Sequence, residues 1–213
     1  MDRRIARISL SAALALTLVS APFAAASDKA PKAKETPKAE AAKPEAQHQE
    51  MMAAMMKMAM PGPMHELLKP MVGAWKTTSR SWMAPGEPIL SEGTCENTWI
   101  MGNRYMQSTH KGDFDGKPFE GMGLMGYDNQ QKEFVSVWCD NMGTGLMMSD
   151  GTADASGKVF TLMSKMPDPA TGKPMDLKMI TKVIDENQHT MSMISMKDGK
   201  EHLDMEITYT RMK

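Results

Sequence analysis

Cysteine is scarce in this chain, since only Cys95 and Cys139 occur among its 213 residues. The two are far apart in the sequence, so no C-x-x-C pair exists. The chain also contains no H-E-x-x-H sequence, no nucleophile elbow and no phosphate-binding loop. The sequence therefore gives no support for the zinc, thiol-redox or nucleotide sites that such motifs form.

Neither sign of charge is in excess. Without residues 1–26 the chain has 22 basic and 25 acidic side chains, which is a net charge of −3. A balance of this kind leaves no electrostatic footprint for nucleic acid or for an anionic membrane surface. We therefore expect no nucleic-acid partner.

Long apolar runs are also missing, because the longest, Ile8 to Val19, is too short to span a bilayer. Three arginines precede this run and small residues at 21–26 follow it, which is typical of a secretory signal peptide. We expect residues 1–26 to be cleaved as that signal, and no cysteine lies nearby to carry a lipid anchor. The sequence thus predicts a secreted or periplasmic protein without a membrane span.

Two segments of different composition come next. Residues 27–50 are mostly Ala, Lys, Pro and Glu, so we predict a disordered linker there. Residues 51–71 are predicted to form a methionine-rich helical segment, in which Met51, Met52, Met55 and Met56 recur at helical spacing.

The remainder, residues 72–213, contains about ten short runs of alternating side chains. Turn residues such as Asp115-Gly116 and Asp198-Gly199 separate the runs. Many short antiparallel strands without a long helix between them predict an all-β fold. We expect a single antiparallel up-and-down β-barrel over 72–213, because closure removes exposed strand edges.

Residues Pro63 to Lys213 resemble a bacterial family known as domain-of-unknown-function family number 1579. The resemblance rests on Gly73-x-Trp75, Trp99, Arg104, Phe119-Glu120-Gly121, Gly126-Tyr127-Asp128-Asn129, Trp138-x-Asp140-Asn141, Asp168-Pro169-x-Thr171-Gly172-Lys173 and Tyr209-Thr210-Arg211. It implies a calycin-like (lipocalin-like) barrel, in which Trp75 packs against Arg211 of the last strand. The family carries no assigned activity.

The turns also predict which strand residues lie side by side. Two-residue turns at Gly102-Asn103 and Asp115-Gly116, and a four-residue turn over Asp128 to Gln131, fix the register of four strands. The predicted rows are Cys95, His110, Gly121, Trp138; Asn97, Ser108, Gly123, Ser136; Trp99, Met106, Met125, Phe134; and Gly93, Gly112, Phe119, Asp140. The other face is charged, so we expect these rows to face the barrel interior.

An interior of aromatic walls, short polar groups and glycines is typical of a ligand pocket. The predicted ligand-binding residues are Trp99, Asn97, Ser108, His110, Phe119, Gly121, Gly123, Met125, Trp138 and Asp140, and the expected ligand is a small, mainly apolar molecule. Two alternatives remain open. Trp138 can fold over Gly121 and fill the space, and Asp140, Asn141 and Arg104 either line the barrel mouth or tie the strand ends together.

The same register bears on chemistry at the cysteines. Cys95 faces inward and Cys139 outward on strands that are not neighbours, so we predict two free thiols. Cys95 beside His110 could form a thiolate–imidazole pair. No third orienting group is evident, so an enzyme is not favoured. Gly121-x-Gly123-x-x-Gly126 lies in a strand and leads into a turn, unlike a dinucleotide motif.

The methionine-rich segment suggests a second function. Thioethers are soft ligands that select Cu(I), and the candidate ligands are Met51, Met52, Met55, Met56, His48 and His65. The chain has 26 methionines in all, however, and methionine also packs as an ordinary apolar residue. Copper binding or buffering is therefore the alternative to a barrel ligand, and a protein-interaction domain without ligand is a third hypothesis.

Overall fold

The computed structural model describes residues 42–82, 86–168, 171–197 and 199–213. Ten antiparallel strands in these ranges form a closed barrel in which β1 pairs with both β2 and β10. The strands are β1 Gly73–Ser81, β2 Ile89–Ile100, β3 Tyr105–Phe114, β4 Lys117–Asp128, β5 Glu133–Asp140, β6 Met147–Ala153, β7 Val159–Pro167, β8 Pro174–Val183, β9 Gln188–Lys197 and β10 Lys200–Arg211. The predicted all-β barrel fold is confirmed.

The barrel closes where β1 meets β10. Trp75 lies opposite Arg211 in the register, and the guanidinium carbon is 4.1 Å from the centre of the indole ring. The same guanidinium donates hydrogen bonds to the backbone oxygens of Val72 (2.9 Å) and Pro70 (2.7 Å). The contact predicted between Trp75 and Arg211 is thus present.

One end of the barrel is filled by the segment before β1, and we call it the plugged end. Helix α2 (Pro63–Glu66) and the 3-10 turn Lys69–Met71 bring Leu68 and Met71 into the interior, where both are buried. They pack with Phe134 and Phe160 in the main hydrophobic core. The chain therefore supplies its own plug.

A long helix, α1, precedes the plug and spans Ala42–Ala59. It begins nine residues before Met51, where the sequence predicted the helical segment to start. Pro44 and Glu45 suit a first helical turn, since proline needs no donor there and an acid favours the positive helix end. The predicted signal peptide and residues 27–41 of the predicted linker lie outside the described residues.

The registers of β2–β3 and β3–β4 agree with the sequence prediction, but that of β4–β5 was wrong by two residues. Trp138 lies opposite Gly123 rather than Gly121, and Asp140 lies opposite Gly121. The loop begins one residue later than predicted because Lys132 adopts a left-handed φ of 60° within it. The Asp128 carboxylate accepts the N–H groups of Gln130 and Gln131 and fixes this turn. Because the shift is even, every side chain keeps its predicted face.

Candidate functional site

Five predicted ligand-binding side chains lie together on the inner face of three neighbouring strands. The shared register places Ser108 and His110 of β3 beside β4, and the residues of β4 beside β5. We call this set the inner wall: Ser108, His110, Phe119, Trp138 and Asp140. All five point inward yet remain partly accessible to solvent, whereas Leu68 and Phe134 at the plugged end are fully buried.

Trp138 is the central element of the inner wall and is held in one orientation. Its Nε1–H donates to a carboxylate oxygen of Asp140 at 2.8 Å. The other Asp140 oxygen accepts the N–H of Met142 at 2.9 Å, which fixes the carboxylate itself. The His110 ring meets the indole edge-on, with centroids 5.1 Å apart. The indole is therefore a preorganised aromatic surface.

The space left by the two glycines is taken by this indole. A Cβ on Gly121 would lie 2.3 Å from Trp138 Cζ2, and one on Gly123 would lie 3.1 Å from Cε3. The expectation that Gly121 and Gly123 leave room for a ligand is thus corrected, and the alternative of an aromatic covering the glycines is the one observed. They serve the site indirectly, by allowing Trp138 to lie flat against β4.

Further aromatic side chains continue from His110 toward the plugged end. Tyr209 contacts the His110 ring edge-on at 5.8 Å and stacks on His189 at 4.1 Å, and His189 meets Trp75 edge-on at 4.3 Å. Burial lowers the pKa of His110 to about 4. Burial, aided by the charge of Arg211, lowers the pKa of His189 to about 3. Both imidazoles are therefore neutral at pH 7.

Sequence reasoning missed His189 and Tyr209. Strand β9 reads Gln-His-Thr-Met-Ser-Met-Ile-Ser-Met-Lys, and neither of its faces has the run of charges that would mark the outside. Strand β10 also contains a β-bulge between Leu203 and Met205, which reverses the simple alternation. The one usable signal was Tyr209 itself, because it lies two residues before Arg211 and so shares its face.

Three other predicted residues lie nearer the plug. Asn97 is buried, and its Nδ2 donates to the Met71 backbone oxygen at 2.8 Å. Trp99 and Met125 pack against the main core. These three side chains support the plug and do not belong to the inner wall.

Both cysteines are free, as predicted. The Cys95 thiol is buried and donates to Asn97 Oδ1 at 3.1 Å. Burial, together with the charge of Glu96, raises the pKa of Cys95 to about 12, so the thiolate is not populated at pH 7. The geometry thus gives no support for nucleophilic chemistry by Cys95 and His110.

Asn141 and Arg104 tie chain segments together, and Arg104 also lines a surface cavity with His65 and Tyr127. Asn141 Oδ1 accepts the N–H of Glu120 at 3.1 Å, and its Nδ2 donates to Pro118 at 3.0 Å. Arg104 Nε donates to the Ala59 backbone oxygen at 2.9 Å. Asn129 Nδ2 reaches the carbonyls of Met58 (2.8 Å) and Met60 (2.9 Å). Arg104 and Asn129 thereby fasten the C-terminal end of α1 to the barrel.

The candidate copper ligands separate into two groups. Met51, Met52, Met55 and Met56 are exposed on α1, as is His48. His65 is instead 4% exposed within the plug, and its Nδ1 accepts the N–H of Gly62 at 3.1 Å. His65 therefore does not share a surface with the methionines. Within the described ranges, no three His, Cys, Asp or Glu side chains form a group that could hold a metal.

The sequence matches the family model described as "Protein of unknown function (DUF1579)" over residues 60–211. The chain belongs to this family. The match begins just after α1 and includes the plug and the whole barrel, so the inner wall lies within the DUF1579 region. A comparison with curated proteins found no match. Among the described residues, no helix is long and apolar enough to cross a membrane.

Three solved structures are similar to this DUF1579 member. The crystal structure of Rv2717c from M. tuberculosis has 16% identity and a TM-score of 0.52, covering 71% of this chain and 99% of that one. A redesigned β-barrel, b11L5F_LGL, has 15% identity and a TM-score of 0.36, with 70% and 95% covered. EF1p2_mFAP2b bound to DFHBI has 12% identity and a TM-score of 0.39, with 70% and 99% covered. At 16% identity the similarity to Rv2717c indicates a shared fold and gives no information about function.

Proposed function

We propose that this protein is an exported, non-enzymatic barrel that binds a small, mainly apolar molecule against the inner wall. The observation that carries the proposal is the partial solvent access of inward-facing Ser108, His110 and Trp138. In a barrel filled only by its own side chains, such positions would be buried as completely as Phe134. An accessible inner surface with aromatic groups and few polar ones suits a small-molecule site.

The chemistry of the interior indicates a neutral ligand. His110 is uncharged at pH 7, because burial lowers its pKa to about 4. The Asp140 carboxylate is already occupied by Trp138 and Met142. A charged ligand would find no opposite charge to offset its desolvation here, whereas an aromatic or alicyclic molecule can stack on the indole.

A few interior polar atoms have no partner within the fold itself. Four buried side-chain atoms have no hydrogen-bond partner among the described residues: Oγ of Ser81, Ser91 and Ser195, and Nδ1 of His189. All four belong to inward-facing positions of β1, β2 and β9. These atoms are closed to solvent, so they do not contact a ligand at the inner wall. Ser108 and His110 are the partly accessible polar residues there, and a ligand with one or two donors or acceptors can bond to them.

Titration with the neutral apolar fluorophore N-phenyl-1-naphthylamine tests the proposal. Ser108→Leu would fill the space beside Trp138 with an apolar side chain, and we expect at least a tenfold loss of probe affinity. Thr109→Leu is the matched control, because Thr109 is the next residue of β3 and points outward. Equal affinity of both variants, or no binding by the parent protein, would count against the site.

A further inference from the structure

We infer that the exposed face of α1 is a Cu(I) site in which Met51, Met52 and Met55 supply thioether sulfur and His48 an imidazole nitrogen. This site lies outside the barrel and does not depend on the proposed barrel ligand. It would allow the protein to sequester Cu(I) in an exported compartment.

The helix geometry gathers these donors on one side. At 100° per residue, the side chains of His48, Met51, Met52, Met55, Met56 and Met58 fall within roughly 160° of the helix circumference. Glu50, Ala54 and Lys57 occupy the opposite side. Positions three and four apart are neighbours on a helix, so His48 and Met55 each lie next to both Met51 and Met52.

No described part of the chain packs over this face of α1. Every residue from 44 to 60 is exposed, and the side chains of Met51, Met52 and Met55 are 55%, 43% and 53% exposed. The methionines of the barrel interior behave differently, since Met71 is 3% and Met106 5% exposed. The methionines of α1 therefore do not belong to a hydrophobic core among the described residues.

The attachment of α1 presents the same face to solvent. Arg104 and Asn129 hold the last turn through the backbone oxygens of Met58, Ala59 and Met60. These contacts use main-chain atoms, so they leave the side chains of Met51, Met52 and Met55 free. Met60 is excluded from the ligand set because its sulfur lies 3.6 Å from the Arg104 guanidinium.

Ligand chemistry selects the ion. Uncharged thioethers bind soft monovalent copper and have little affinity for hard cations such as Mg²⁺ or Ca²⁺. Among the described residues no cluster of three His, Cys, Asp or Glu ligands competes for a metal. A thioether has no proton to lose on binding, so affinity at the three sulfurs should not weaken as the pH falls.

The test is an anaerobic titration of the full chain with Cu(I) in competition with bicinchoninate. Met51→Leu, Met52→Leu and Met55→Leu together should lower Cu(I) affinity at least a hundredfold. Leucine keeps the apolar face and the helix propensity of α1, so circular dichroism should be unchanged. The control replaces Met122, Met148 and Met163, three exposed barrel methionines, with leucine and should retain full affinity.

Three results would overturn the inference: no binding by the parent chain, equal affinity of the α1 variant and the parent, or equal losses in both triple variants. The last result would mean that exposed methionines bind Cu(I) without a defined site. Replacement by leucine also distinguishes Cu(I) binding from protein binding. A protein partner that binds an apolar surface would still bind the leucine variant, whereas Cu(I) would not. The barrel probe titration should be unaffected by the α1 variant, so the two functions can fail independently.

Discussion

At the scale of single residues, Trp138 can occupy its position in the inner wall because Gly121 has no side chain. Trp138 lies so close to Gly121 that any Cβ there would overlap the indole. Replacing Gly121 therefore disturbs the aromatic surface, and it is not a clean way to fill a pocket. The sequence showed that both residues face inward, but not that one occupies the space of the other.

We expect Gly121→Ala to lower the free energy of unfolding by about 1–3 kcal/mol, because the new methyl group overlaps the indole. The cost should largely disappear in a Trp138→Leu background, since the clashing ring is gone. Gly143→Ala is the control, because nothing lies within 4 Å of a Cβ at that position. Urea unfolding measures all five proteins, which are the parent, the two single variants, the double variant and the control. The same cost in both backgrounds would show that the indole is not what Gly121 accommodates.

His110 gives a pH prediction at the same scale. Its folded-state pKa is about 4 against an ordinary value of 6.5, so the unfolded chain binds a proton more readily between these values. Stability should therefore be fully present above pH 6.5 and should fall as the pH drops toward 4. The loss per histidine approaches about 1.4 kcal/mol for each pH unit within this window.

Urea midpoints at pH 7.5, 6.0 and 5.0 would check this for the parent protein and His110→Gln. The variant should lose less stability over this range, and a remaining slope is expected from His189, whose pKa is lowered in the same direction. An identical pH dependence of the two proteins would show that His110 is protonated as easily in the folded state as in the unfolded chain.

At the scale of elements, the strands could be predicted more accurately than their loops. The β3–β4 register follows from the two-residue turn Asp115-Gly116, which leaves little freedom in pairing. The β2–β3 register was also correct, although its loop, residues 101–104, has four residues rather than the predicted two. The β4–β5 loop has four residues, and its position depends on the left-handed conformation of Lys132 and on capping by Asp128. Neither feature is apparent from residue type alone.

The sequence also did not reveal how α1 is attached to the barrel. Arg104 and Asn129 are far from α1 in the chain. Arg104 was predicted either to line the barrel mouth or to tie strand ends together, and Asn129 was predicted to lie in a turn. Their hydrogen bonds to the last turn of α1 satisfy backbone oxygens that a helix end otherwise leaves free.

We expect Arg104→Ala with Asn129→Ala to loosen α1 without unfolding the barrel. The variant loses three hydrogen bonds worth about 1 kcal/mol each, so trypsin should cleave after Lys57 on the order of a hundredfold faster. Gln130→Ala serves as the control, because its side chain makes none of the contacts that hold α1. Unchanged cleavage in the double variant would mean that other contacts hold the helix.

At the scale of the whole molecule, closure of the barrel follows from the sequence, because ten alternating strands leave edges that must pair. The Trp75–Arg211 contact confirms that the first and last strands meet. How much of the barrel interior remains accessible was less predictable, because it depends on how far Leu68 and Met71 enter from the plugged end. The inner wall is the part of the interior that the plug does not cover.

The central claim is that the inner wall holds a small neutral molecule. Native mass spectrometry of the protein purified from an exported fraction tests it most directly, with Ser108→Leu compared alongside. We predict an organic mass excess on the parent protein that disappears on denaturation and is absent from the variant. A bare parent protein that also fails to bind N-phenyl-1-naphthylamine, or an equal mass excess on Ser108→Leu, would contradict the claim.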